Sequence, residues 1–126
     1  MCHHPLVAAT VLIVDDHPSF RRFASRLLES AGYVVVGVAE DGASAIAAVR
    51  ADCPDLVLLD VLLPDTTGFE VAKELAATPK RPLVVLTSSR SASDLGPLVH
   101  SGDAKGFISK RDLTAAALAE LVGDAA

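Results

Sequence analysis

Basic clusters are missing from this sequence. Lys and Arg total 11 against 16 Asp and Glu, a formal net charge of −5, and no basic stripe runs along any segment. A chain of this charge does not hold nucleic acid by itself, because phosphate neutralisation supplies most of that affinity. Apolar runs of membrane-spanning length are missing too. The stretch Leu6 to Val14 resembles a signal-peptide core, but no Lys or Arg precedes it. Asp15-Asp16 follows it, where a small-residue cleavage site would stand. Cys2 and Cys53 are the only cysteines and form no Cys-x-x-Cys, so reduced thiols in a cytoplasmic protein are expected. There are no repeats of solenoid period and no low-complexity linker. His3-His4 is too short for a tag or a metal site and reads as part of a mobile tail, residues 1–9.

What is present is an alternation. Apolar residues make up 51% of the 126, enough for one domain with a real core. Asp55-Leu56-Val57-Leu58-Leu59-Asp60 is a continuous apolar run ending in a carboxylate, the signature of a strand buried on both faces. Thr10 to Val14 has the same form and ends in Asp15-Asp16. Tyr33 to Val38, Leu83 to Leu86 and Ala104 to Ser109 supply three more strands. Between them lie helical patterns. Pro18 suits a first helical turn, and Phe20, Phe23, Ala24, Leu27, Leu28 and Ala31 recur at helical spacing up to Gly32. Ala43 to Ala51 and Gly68 to Ala77 follow. Leu113 to Val122 is the last helix, with Asp112 as its expected cap and Gly123 as its stop. Ser91 to Ser101 is helical by position, but Gly96-Pro97 interrupts it, predicting a short, kinked or late-starting element. Strand and helix alternating five times call for a parallel sheet with helices on both faces and right-handed crossovers.

Parallel strands share a carboxyl edge, and α/β folds place their ligands there. Asp15 and Asp16, Asp60, Thr87 and Lys110 all end strands and are expected on that rim. Three carboxylates in contact repel by roughly 4 kcal/mol per pair at 4 Å and an effective dielectric near 20. A divalent cation reverses that sign, and an all-oxygen set of few ligands suits Mg²⁺. A carboxylate faced by a cation, an ammonium and a hydroxyl is the equipment of phosphoryl transfer. Each residue also has a plain reading: a solvated acidic strand end, a satisfied hydroxyl, a surface lysine, a core Phe107. His17 and His100 lack a placed Ser or Cys nucleophile and read as surface or capping residues. No Asp-x-Asp occurs at Asp60, where position 62 is Leu, which ranks a Mg²⁺-dependent phosphatase of another α/β family low.

Val14-Asp15-Asp16-His17-Pro18, Asp60-Val61-Leu62-Leu63-Pro64 with Gly68, Thr87-Ser88 and Gly106-Phe107-Ile108-Ser109-Lys110 together resemble the receiver domain of two-component response regulators, from about Thr10 to Val122. Asp-Asp-His-Pro and Val36-Gly37-Val38-Ala39 are most similar to the subfamily with a helix-turn-helix DNA-binding output. The resemblance implies a flavodoxin-like (βα)5 three-layer sandwich with a parallel five-stranded sheet of order 2-1-3-4-5. The domain would span residues 10–123, with 124–126 a tail or truncated linker. Asp60 would be the phosphoacceptor, taking its phosphoryl group from a histidine kinase. Mg²⁺ would be held by Asp16, Asp60 and the backbone carbonyl of Leu62, with Asp15 acting mainly through water. Lys110 would pair with Asp60 and then with the phosphoryl group. Thr87 would bond a phosphoryl oxygen, and Phe107 would be the aromatic switch. The protein would be a self-catalysing phosphoacceptor, with autodephosphorylation, rather than a conventional enzyme. It would act in the cytoplasm, control a fused or separate output in transcription, and pair into homodimers on phosphorylation. The switching face would comprise 91–101, the fifth strand and the last helix. The competing expectation is a degenerate receiver, a docking module independent of phosphorylation.

Three departures from the family pattern carry expectations of their own. The turn 101–106 is one residue longer than usual. Arg111 stands where many relatives have proline, so no cis-proline is expected after Lys110. Leu62 is apolar where many relatives are polar, which predicts slow loss of phosphate, since Leu62 cannot orient a hydrolytic water.

Overall fold

Five parallel strands form the centre of the fold, in the order β2-β1-β3-β4-β5. The computed structural model describes residues 9–89 and 103–123. In chain order the elements are β1 (Thr10–Val14), α1 (Pro18–Ser30), β2 (Val34–Ala39), α2 (Gly42–Asp52), β3 (Leu56–Asp60), α3 (Gly68–Ala76), β4 (Leu83–Ser88) and β5 (Gly106–Ser109). A 3₁₀ turn (Lys110–Asp112) and α4 (Ala115–Val122) complete them. The expected element at 91–101, and the effect of Gly96-Pro97 on it, lie outside the described residues.

The β1 and β3 runs are apolar because both of their faces are covered. Val11, Ile13, Leu56, Leu58, Val85 and Ile108 pack under Ala24 and Leu28 of α1 and Leu118 and Val122 of α4. Their neighbours Leu12, Val14, Val57, Leu59 and Leu86 point the other way, onto Ala45, Val49, Val71, Ala72 and Leu75 of α2 and α3. This period-two division makes one sheet the floor of two cores. Each fully buried Leu or Val contributes about 1.5–3 kcal/mol. The edge strand β2 is less covered, with Val34 49% and Val38 51% exposed. A register shift against β1 between Val11 and Leu12 displaces its second half.

Hydroxyl and carboxylate caps set the helix starts. Asp41 and Ser44 form a capping box on α2. Thr67 accepts from the Glu70 amide at 3.2 Å and Thr114 from the Ala117 amide at 3.0 Å, each cap stabilising its helix by about 1 kcal/mol. Asp112 is therefore not the cap of the last helix. The chain first makes a 3₁₀ turn after β5, then runs extended through Leu113 and Thr114 before the helix begins.

Two further expectations are corrected. Phe23, read as inward, is 50% exposed, because α1 ends its buried stripe at Ala24 and Leu28. Cys53, read as a reduced thiol, is disulfide-bonded. No Cys-x-x-Cys spacing marks such a bond in the sequence.

Candidate functional site

The strand order reverses between β1 and β3, and this is where open parallel sheets form a crevice at their carboxyl ends. β1 delivers Asp15 and Asp16 to it, β3 delivers Asp60, β4 delivers Thr87, and the turn after β5 delivers Lys110. Asp60 and Thr87 are register partners across β3 and β4.

Lys110 is the charge around which the carboxylates gather. Its Nζ lies 2.7 Å from Asp15 Oδ2 and 3.3 Å from Asp60 Oδ2, with only 15% of its side chain exposed. It donates a hydrogen bond to Asp60. The shorter contact, to Asp15, is an ion pair without hydrogen-bond alignment, so Asp15 Oδ2 remains a buried oxygen with no hydrogen bond. The ammonium also sits 4.7 Å from the centroid of the Phe20 ring, a cation–π contact from the first turn of α1.

Asp60 is 3% exposed. Its Oδ1 accepts the Leu62 amide at 3.2 Å. Burial, and then the negative charge of Asp15, push its carboxyl from 3.8 up to about 6. Lys110 and the Leu62 amide pull in the other direction. Asp15 is fully buried. Its Oδ1 accepts the His17 amide at 2.9 Å, and Arg21 Nη1 donates to its carbonyl at 2.7 Å. Asp16 keeps 38% of its side chain exposed. His17 Nδ1 stands 3.0 Å from Asp15 Oδ1 and 3.2 Å from Asp16 Oδ1. One ligand atom each from Asp15, Asp16, His17 and Asp60 falls within 4.8 Å of the others.

Around this cluster, Thr87 is fully buried and its Oγ1 has no hydrogen-bond partner. Leu62 is half exposed and makes an isolated antiparallel bridge with Thr67, which fixes the loop behind Asp60. Phe107 is half-buried beside the α2–α3 core and pairs in register with Leu86.

The expected residues Asp15, Asp16, Asp60 and Lys110 thus share one pocket, with Thr87 beside it and Leu62 on its lip. Phe107 stands one strand position before Thr87's register partner Ile108. Phe20, expected in the inward stripe of the first helix, Arg21, on its outer face, and His17, expected as a surface or capping residue, also meet this rim. Their signal was adjacency: all three lie in the turn and first helical residues that follow the acidic pair, and α1 folds back across the rim. The donor set fits a hard dication. Three carboxylates gather where one ammonium reaches two of them, Asp15 Oδ2 and Thr87 Oγ1 are buried without hydrogen bonds, and Asp16 is partly open to solvent.

The sequence profile of the response regulator receiver domain matches residues 11–122. A Pseudomonas aeruginosa relative is 37% identical over 117 residues, 90% of this chain and 56% of its own length. The DNA-binding response regulator MtrA of Mycolicibacterium smegmatis is 38% identical over 94 residues, 73% of this chain and 40% of its own. The chain therefore spans about half the length of the curated relatives it matches. A crystal structure of a LuxR-family two-component response regulator from Aurantimonas sp. SI85-9A1 superposes with a TM-score of 0.80 at 28% identity. That match covers 92% of this chain and 86% of the other. With this fold, this rim and these relatives, the chain belongs to the response regulator receiver domain family.

Proposed function

We propose that Asp60 accepts a phosphoryl group from a histidine kinase, and that this event switches an output controlling transcription. The single observation that carries the assignment is the Lys110 ammonium held against both Asp60 and Asp15. Asp60 is paired with that cation, accepts the Leu62 backbone amide and is the register partner of Thr87, whose buried hydroxyl has no hydrogen bond. An Asp60 carboxylate oxygen attacks phosphorus, the P–N bond of the kinase's phosphohistidine breaks, and the departing imidazole keeps the electron pair and takes a proton. Asp15, Asp16, Asp60 and the Leu62 carbonyl would hold Mg²⁺, which when bound supplies charge neutralisation at the phosphoryl oxygens. Lys110 is placed to move from the carboxylate to the new phosphoryl group. Thr87 Oγ1, with no competing bond to break, is placed to donate to it.

The relay outward runs through Thr87 and Phe107 to the face of β5 and α4, together with the segment 91–101. We assign the domain to the cytoplasm, with a fused or separate DNA-binding output and with pairing of two copies upon phosphorylation. The DNA-binding output is supported by a relative named as a DNA-binding response regulator. A docking module that never takes phosphate is the weaker reading, since it leaves the complete set of acids, hydroxyl and lysine without a task.

The experiment is incubation with Mg²⁺ and a small acyl phosphate, followed by intact-mass measurement. A phosphate-sized gain on the native chain, absent from Asp60→Asn and absent in EDTA, supports the reading. No gain, or an equal gain on Asp60→Asn, sinks it.

A further inference from the structure

We infer that His17 is a metal ligand at this rim, and that its nitrogen biases the pocket toward borderline first-row dications such as Co²⁺ or Zn²⁺ over Mg²⁺. This rests on the reading above that the acidic pocket takes a dication, and adds which kind. His17 Nδ1 lies 3.0 Å and 3.2 Å from oxygens of Asp15 and Asp16, and its potential ligand atom falls within the same 4.8 Å group as those of Asp15, Asp16 and Asp60. The ring is 65% exposed, so it reaches the pocket from the solvent side, where an entering ion meets it first. An independent sign of a missing partner lies on the buried side. Thr87 is fully buried, yet its Oγ1 has no hydrogen-bond partner, whereas the buried Asp15 Oδ2 is ion-paired with Lys110.

The chemistry of the donors then decides the ion. Mg²⁺ prefers oxygen, demands near-octahedral geometry and keeps several waters, so an imidazole adds little to its binding. Imidazole suits Mn²⁺, Co²⁺ and Zn²⁺ progressively better, following the usual order of first-row affinities. Three carboxylates and one imidazole form a mixed set able to hold such an ion with its remaining positions left to solvent and a phosphoryl oxygen. The ring lies against the carboxylates it would join as a ligand.

The test is calorimetric titration with Mg²⁺ alone and Co²⁺ alone. It uses the full chain carrying His3→Gln, His4→Gln and His100→Gln, so that no other imidazole competes. Its partner variant carries His17→Gln in addition, which keeps a hydrogen-bonding side chain without the imidazole lone pair. The expected result is tighter binding of Co²⁺ than of Mg²⁺, and a loss of about tenfold or more in Co²⁺ affinity on His17→Gln. Mg²⁺ affinity should be nearly unchanged, and the visible Co²⁺ absorption should shift as nitrogen leaves the coordination sphere. Equal losses for both metals would make His17 a mere support for the carboxylates and overturn the inference. So would Co²⁺ binding indifferent to His17→Gln. In both cases the Mg²⁺ binding of the parent chain leaves the phosphoacceptor reading standing. Failure of the parent chain to bind either ion would remove both.

Discussion

Gly68 lies so close to Asp60 that a methyl group on its Cα would collide with the Asp60 carbonyl oxygen. The Gly68 amide also donates to the Val61 carbonyl at 2.7 Å. The start of α3 is therefore packed directly on the backbone that presents Asp60, the proposed phosphoacceptor, and the obstruction is backbone, which cannot rotate away as a side chain can.

Gly68→Ala should accordingly destabilise the domain by about 1–3 kcal/mol, the usual cost of overpacking a tight site. It should also slow phosphorylation of Asp60 beyond what the lost stability explains. Urea unfolding gives the first quantity and intact-mass time courses with acyl phosphate the second. A variant as stable and as fast as the native chain would show that the contact relaxes freely.

The raised carboxyl of Asp60 carries a pH prediction whose sign is opposite to that of an ordinary paired aspartate. Its value stands at about 6 in the folded protein against 3.8 for an unperturbed group. The folded state thus binds this proton more tightly than the unfolded chain. The contribution is fully present below about pH 4 and is lost as pH rises through about 6. At about 1.4 kcal/mol per unit, the loss is at most about 3 kcal/mol. In metal-free buffer with EDTA, the stability difference between Asp60→Asn and the native chain should therefore shift in favour of Asn from pH 4 to pH 7. A flat difference across that range would contradict the raised value.

Much of this arrangement was legible in the sequence, for a definite reason. Buried parallel strands have to be apolar throughout, so Leu56 to Leu59 and Val11 to Val14 announce themselves. A polar residue closing such a run has to be at the rim. Asp15, Asp60, Thr87 and Lys110 followed from that alone. Contacts set by how α1 crosses the rim were not legible: the Phe20 ring against Lys110, the His17 ring on the acidic pair, and the outward turn of Phe23. Helical periodicity gives the stripe but not its centre, and a stripe one residue too wide cost Phe23. The cap of α4 was misplaced from Thr114 to Asp112, because a 3₁₀ turn leaves no periodic trace in three residues.

Asp65 ties the loop after Asp60 to a different helix. Its Oδ1 and Oδ2 accept the Gly42 and Ala43 amides at 2.8 Å and 3.1 Å, at the start of α2. The Gly42 amide in particular holds its carboxyl below the usual range. This contribution is present above the unfolded value near 4 and disappears as pH falls through the lower folded one. In Asp65→Ala, amide hydrogen exchange at Gly42 and Ala43 should accelerate. In Asp65→Asn, which retains one acceptor oxygen, the change should be smaller. Unaltered exchange in both would mean that the Asp41–Ser44 capping box holds the α2 start by itself.

Leu62 places an apolar, half-exposed side chain beside the proposed phosphoryl position. It can neither donate to nor accept from a water approaching phosphorus in line. Leu62→Asn should shorten the lifetime of the phosphorylated domain severalfold while leaving the amount of phosphate initially accepted unchanged. Decay of the phosphorylated mass after removal of the acyl phosphate measures this, and equal decay rates would count against a role for Leu62.

Thr87 offers a case in which stability and signalling should part. Its hydroxyl is buried and lacks a partner, so folding desolvates it without return. Valine has nearly the same shape and nothing to desolvate. Thr87→Val should therefore leave the unphosphorylated domain equally stable or stabilise it by up to about 1 kcal/mol. The same replacement removes the group proposed to bond the phosphoryl oxygen. Asp60 should still gain phosphate, but amide resonances of Gly106 to Ser109 should respond to phosphorylation much less than in the native chain. If Thr87→Val destabilises the domain markedly, the hydroxyl has a structural partner and is not waiting for phosphate. If the Gly106 to Ser109 response survives intact, the signal leaves Asp60 by a route that bypasses β4.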